Sequence, residues 1–200
     1  MNLQDFVKQY DKSGAVILLE GKRKVADADK PKMIALGKIL AENTSKMRFR
    51  SGNADGADFY FSAGVISVDS SRLEVITPYA GHRKQYNEAG KTYSLDDINL
   101  AAEDKVIYQT KSNKSHSRLV DSYLSDKSGA LSAKAAYLLR DTIKVTGTKD
   151  MLLPASFAIF YDDLEHPAQG GTGHTMHVCE LNNVPFINQS QWFDWISGKY

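Results

Sequence analysis

The chain has 200 residues, 42% hydrophobic and 24% charged, a composition that suits one globular domain with a substantial core. Its 25 Lys and Arg against 24 Asp and Glu leave a net charge of +1, which argues against the overall basic excess of a dedicated nucleic-acid binder. The lone Cys179 excludes a disulfide framework or a thiolate zinc site, and no apolar run reaches membrane-spanning length.

Residues 1–13 read as a short amphipathic lead-in without a signal-peptide core, so a cytoplasmic protein is expected. Residues 14–19 are a continuous apolar run, the pattern of a strand buried on both faces. A first helix is expected over 31–43, with Pro31 at a position where its missing N–H costs nothing. A short strand at 47–50, a turn cluster at 51–56, a helix of small residues over 57–65 and a strand at 73–76 follow. Residues 81–127 are polar and read as an insertion or cap carrying helical pieces near 95–108 and 115–124. A helix over 131–145, a strand over 156–161, a helix over 170–181 and a last strand at 184–187 complete the pattern. The tail, 190–196, holds both tryptophans and is expected to pack on the body.

Short strands alternating with helices predict an α/β fold, a Rossmann-like open parallel sheet flanked by helices, with a polar helical insertion in the middle. One domain over 1–200 is expected. In such sheets ligands bind beyond the carboxyl ends of the strands. Three loops there share a composition. One is Gly21, Lys22, Arg23 and Lys24; another runs from Arg50 through Ser51, Gly52, Asn53 and Asp55 to Asp58; the last is Gly170, Gly171, Thr172, Gly173, His174 and Thr175. Glycine permits close backbone approach, and a helix N-terminus offers unpaired N–H groups, so the loops predict a cradle for phosphate. Lys22, Arg23 and Arg50 would supply charge, and Thr172 and Thr175 hydroxyls. Pro78 and His82, after the third strand, are expected along the same cleft. His174 and His177 share a helix face but lack a third ligand, so no metal site is expected. No cofactor is implied.

The stretch Arg50-Ser51-Gly52-Asn53-Ala54-Asp55-Gly56-Ala57-Asp58 resembles a signature of the SLOG superfamily, which includes DNA-processing protein A and the Lonely Guy phosphoribohydrolases. Val75-Ile76-Thr77-Pro78 with Gly81, Gly170 through Glu180, and Val184-Pro185-Phe186-Ile187-Asn188 resemble later parts of the same pattern. The likeness is greatest to short phage and bacterial members. It implies a Rossmannoid domain that binds nucleotides or their derivatives. The leading expectation is a binder of a nucleotide or nucleotide-derived signal, of the ADP-ribose, cyclic ADP-ribose or nucleoside phosphate type. Such a protein is a sensor or, in a phage, a sequestering anti-defence protein in the host cytoplasm. One alternative is a nucleoside-phosphate N-glycosidase with Glu180 or Asp58 as its acid. Another is a single-stranded DNA-binding recombination mediator, using the basic stretches 22–24 and 46–50. Asp58, Asp55 or Glu180 would hold a ribose hydroxyl in a binder. A homodimer or higher oligomer is expected, with no membrane partner.

Overall fold

A computed structural model of the chain describes residues 1–126 and 132–197. Its centre is a six-stranded, all-parallel sheet. The strands are β1 (Val16–Gly21), β2 (Arg48–Ser51), β3 (Leu73–Thr77), β4 (Lys91–Ser94), β5 (Phe157–Tyr161) and β6 (Phe186–Ile187). Their order is β4-β3-β2-β1-β5-β6, and every neighbouring pair is parallel. The chain therefore steps outward from β1 to β4, then crosses back to set β5 on the other side of β1. Strand order reverses between β1 and β5.

Alternate strand residues feed two helical layers. Ile17, Leu19, Phe157 and Ile159 face one cluster with Leu36, Phe61 and Trp192. That layer holds α1 (Leu3–Tyr10), α2 (Lys30–Glu42), α3 (Ala57–Asp69) and α8 (Gln189–Ile196). Leu18, Ala158 and Phe160 face the opposite way, toward Val178 and Cys179, and Ile76 meets Val106, Leu139 and Ile143. This second layer holds α4 (Asp104–Thr110), α5 (Lys114–Ser125), α6 (Ser132–Thr146) and α7 (Gly170–Leu181). The result is an open α/β arrangement of Rossmann-like type.

Local sequence explains the elements. Asn2 accepts the Asp5 N–H and caps α1, and Pro31 lies in the first turn of α2. Where α2 and α3 cross, Gly37 and Gly64 let the backbones touch; a Cβ on Gly64 would overlap the Ile34 carbonyl. Asn188 caps α8, which buries Trp192 and Trp195. The expected helix at 57–65 extends to Asp69. The expected helix at 131–145 begins one residue outside the described part and is observed from Ser132.

The middle segment supplies α4 and α5, which pack against α6. It also supplies β4, an edge strand the sequence reading did not anticipate. Lys91 and Thr92 are exposed, as an edge strand's outer residues are, so the segment lacks the apolar run that marks β1.

Candidate ligand-binding site

A cavity of about 850 Å³ opens where the strand order reverses. Its walls come from the end of β1 and the loop beyond it, from α5 and α6, and from the loop and first turn of α7. Of the residues expected in a site, Gly21, Lys22, Arg23 and Asp58 line it. So do Gly170, Gly171, Thr172, Gly173 and His174.

The close backbone approaches are specific. A Cβ on Gly21 would overlap the Tyr161 carbonyl, and one on Gly173 would overlap the Ala168 carbonyl. Gly170 has φ +61°, a left-handed conformation at the start of α7 that glycine adopts without strain. The first amides of α7 point from a helix N-terminus whose dipole favours an anion.

Three carboxylates and Arg140 line the inner wall, and the buried Lys144 lies behind them. Glu20, at the end of β1, accepts a hydrogen bond from Thr175 Oγ1 at 2.8 Å through Oε1, and its Oε2 lies 2.7 Å from Lys144 Nζ. Lys144 is fully buried and also lies 2.9 Å from Asp141 Oδ1. Arg140 donates to the same oxygen through Nε at 3.0 Å and Nη2 at 2.6 Å, and to the Gly52 carbonyl through Nη1 at 2.9 Å. Asp58 accepts the Gly21 N–H on Oδ1 at 3.3 Å and the Gly52 N–H on Oδ2 at 3.0 Å. One network thus joins β1, β2, α3, α6 and α7.

Burial pushes the Glu20 carboxyl up to about 7; Lys144 opposes this shift, while Asp141 and Asp58 add to it. Asp141 is held below the usual carboxylate range; burial works against ionisation there, and Arg140 and Lys144 outweigh it. Lys144 is raised despite its burial, because Asp141 and Glu20 face it. Burial draws His174 down to about 4, so its ring is neutral at pH 7; its Nε2 shares a hydrogen bond with Thr142 Oγ1 at 3.0 Å. His116 stands beside it, ring centroids 5.0 Å apart. Tyr137 offers an aromatic wall flanked by Arg23 and Arg140, whose guanidinium carbons lie 5.3 and 5.1 Å from its ring centre.

Other expected site residues serve the fold instead. Arg50 does not line the cavity. It is fully buried, pairing with Glu74 at 2.5 Å and donating to the Lys144 carbonyl at 2.9 Å. Ser51 and Pro78 are buried in the strand ends, and Gly52 is enclosed between Arg140 and Asp58. Asn53 holds the carbonyls of His82 and Arg83, and Asp55 pairs with Arg83 in solvent. His82 is wedged between Tyr79 and Tyr137 beside the cavity wall, and burial lowers its pKa. Thr175 holds Glu20 from behind. Glu180, two-thirds exposed, faces His177 at 3.7 Å and does not line the cavity.

Glu20, Tyr137, Arg140, Asp141 and Lys144 were not anticipated. The signal for Glu20 was an acid ending an apolar strand next to a glycine. For α6 it was three charges set among apolar neighbours, which demands buried pairing if the helix is covered on all sides.

The class defined here is an open, all-parallel α/β domain with a ligand crevice at its switch point. No protein-family model matches the chain, and no curated protein matches it. Among solved structures it is similar to DNA processing protein A from Helicobacter pylori, described for its unique single-stranded DNA binding mode. The two are 13% identical, with a TM-score of 0.49 over 90% of this chain and 67% of that one. Among the described residues no helix is long and apolar enough to cross a membrane.

Proposed function

We propose that the cavity binds a nucleotide or nucleotide-derived signal, and that the protein acts as a sensor or sequestering protein. The observation that carries this reading is the position of the cavity. It lies at the switch point, with the glycine-rich start of α7 on one side and Lys22, Arg23 and Lys134 around it. The backbone amides and cations suit phosphate, the aromatic wall at Tyr137 suits a base, and the volume suits a ligand of nucleotide size. Turnover by an N-glycosidase asks for Glu180 or Asp58 beside the bond. Glu180 lies outside the cavity, and both Asp58 oxygens accept backbone N–H groups, so nothing favours it.

The test is incubation with AMP, NAD, ADP-ribose and cyclic ADP-ribose, followed by mass spectrometry of the retained and unbound fractions. An intact nucleotide in the retained fraction is expected. Retention of none of them overturns the reading, and free base appearing with time replaces it with an enzyme. In the Lys22→Ala/Arg23→Ala double variant, affinity for the retained nucleotide should fall roughly tenfold or more.

A second reading, single-stranded DNA binding, is supported by one surface feature. Tyr79 and Tyr86, 46% and 50% exposed, stand on the loop after β3, with the Arg83 guanidinium 4.7 Å from the Tyr86 ring. Exposed aromatics beside cations can stack successive bases. Salt-sensitive binding of an oligothymidylate, lost in Tyr86→Ala, is its expected signature; no binding at low salt removes it.

A further inference from the structure

We infer that Asp141 Oδ2 is the acceptor for a ribose hydroxyl, so that the cavity selects ribonucleotides over nucleotides lacking the sugar diol. This rests on the nucleotide reading above and adds the chemical class of the sugar to it.

The inference follows by elimination among the three acids of the cavity. Glu20 spends Oε1 on Thr175, and its Oε2 is buried against the Lys144 ammonium, out of a ligand's reach. Asp58 spends one oxygen on each of two backbone N–H groups, Gly21 and Gly52. Asp141 differs, because Arg140 and Lys144 both engage Oδ1. The other oxygen, Oδ2, lies beneath the opening turn of α7, where a Cβ built on Gly171 would stand 3.3 Å from it. The side chain is 3% exposed, so its position is set by the wall around it.

The chemistry at Oδ2 narrows the partner. It is an ionised oxygen, so a phosphate is repelled from it. Arg140 and Lys144 take its other oxygen, and the oxygens of Glu20 and Asp58 are engaged elsewhere, so Oδ2 is a single ligand and builds no coordination sphere for a metal cation. A neutral hydrogen-bond donor remains. A phosphate engaged by Lys22 and Arg23, which line the same cavity, leaves the ribose hydroxyls of a nucleoside 5′-phosphate, one ring from the phosphate, as the neutral donors to reach Oδ2. A hydrogen bond from a hydroxyl to a buried carboxylate is charge-assisted and discriminates strongly against a ligand that leaves the carboxylate unpaired.

The position is also one that tolerates little movement. Oδ1 is fixed from two directions, which holds the carboxyl plane and aims Oδ2 at the cavity. Asp141 acts here as a specificity-determining contact to the ligand, with Arg140 and Lys144 as its positioning residues.

The experiment is a calorimetric titration of the unaltered protein with the ribonucleotide retained in the screen above. The same base is then tested as its 2′-deoxy, 3′-deoxy and 2′,3′-dideoxy forms. The dideoxy form is expected to bind roughly tenfold or more weakly, and the single deoxy forms show which hydroxyl is read. In Asp141→Asn the preference should shrink toward equality. Asp141→Asn also removes the charge that Arg140 and Lys144 pair with, so the unaltered protein decides the matter. Equal affinity for the ribo and dideoxy forms overturns the inference while nucleotide binding stands. Failure of every nucleotide to bind overturns the nucleotide reading itself, and the inference with it.

Discussion

The two faces of the sheet are built from alternate residues of the same strands but are held by different forces. On one face Ile17, Leu19, Phe157 and Ile159 meet Leu36, Phe61 and Trp192, with apolar side chains throughout. The other face carries Leu18, Phe160 and Ile76 in apolar clusters as well, but there Glu20 pairs with Lys144 on α6, and Arg50 pairs with Glu74 and donates to the Lys144 carbonyl. The apolar face gains from burial, and its helices touch closely through Gly37 and Gly64. The charged face gains little net stability from its ion pairs, because desolvation offsets the attraction. What it gains is a polar wall with fixed geometry. The cavity opens on that second layer, between β1, α6 and α7.

The largest effect should come from the apolar face. Phe61 is fully buried and packs edge-on against Trp192 at 5.6 Å. Phe61→Ala should lower stability by about 3–5 kcal/mol in denaturant titration, while nucleotide retention at low temperature is unchanged. Retention lost together with stability would show that the two layers are not separable. Next comes the charged face. Arg50→Met strands Glu74 without its main partner and should cost about 3 kcal/mol. Arg50→Met/Glu74→Leu should restore most of that, since the pair adds little beyond its packing. A double variant as unstable as the single one would mean that the pair itself stabilises the fold.

The smallest effect is a pH slope. Glu20 has a folded pKa of about 7 against an ordinary value of 4.5. Between those values the folded protein keeps a proton that the unfolded chain has released, so this residue makes stability fall as pH rises from 4.5 to 7. His174 works the opposite way. Its folded pKa is about 4 against 6.5, so its contribution is lost as pH falls through that interval. The difference in Tm between Glu20→Gln and the unaltered protein isolates the first slope, and it should move in favour of the variant as pH rises to 7. A difference that stays flat with pH means that Glu20 is ionised throughout.

Much of the fold was legible because it rests on local pattern. The apolar runs of β1 and β5 and the glycine cluster opening α7 each declare their element without help from distant residues. β4 was not legible, because its exposed Lys91 and Thr92 give it no apolar signature and its place depends on pairing with Glu74 and Val75. The site divides in the same way. The backbone parts, Gly21 and Gly170 through Gly173, follow from composition at strand and helix ends. The side chains that set charge do not. Arg50 sits at a strand end and has the chemistry for phosphate, but strand alternation turns it under α6 to meet Glu74. Asp141 lies deep in a helix distant in sequence, and only packing brings it beneath Gly171.

The Asp58 carboxylate, shared between the N–H groups of Gly21 and Gly52, has a consequence for any attempt to redesign the loops one at a time. A single rivet through two plates makes their damage non-additive. Once a change in either loop has freed Asp58, a change in the other has less left to lose. Double-mutant energies across the two loops should therefore fall short of the sum of the singles, and the two loops behave as one part.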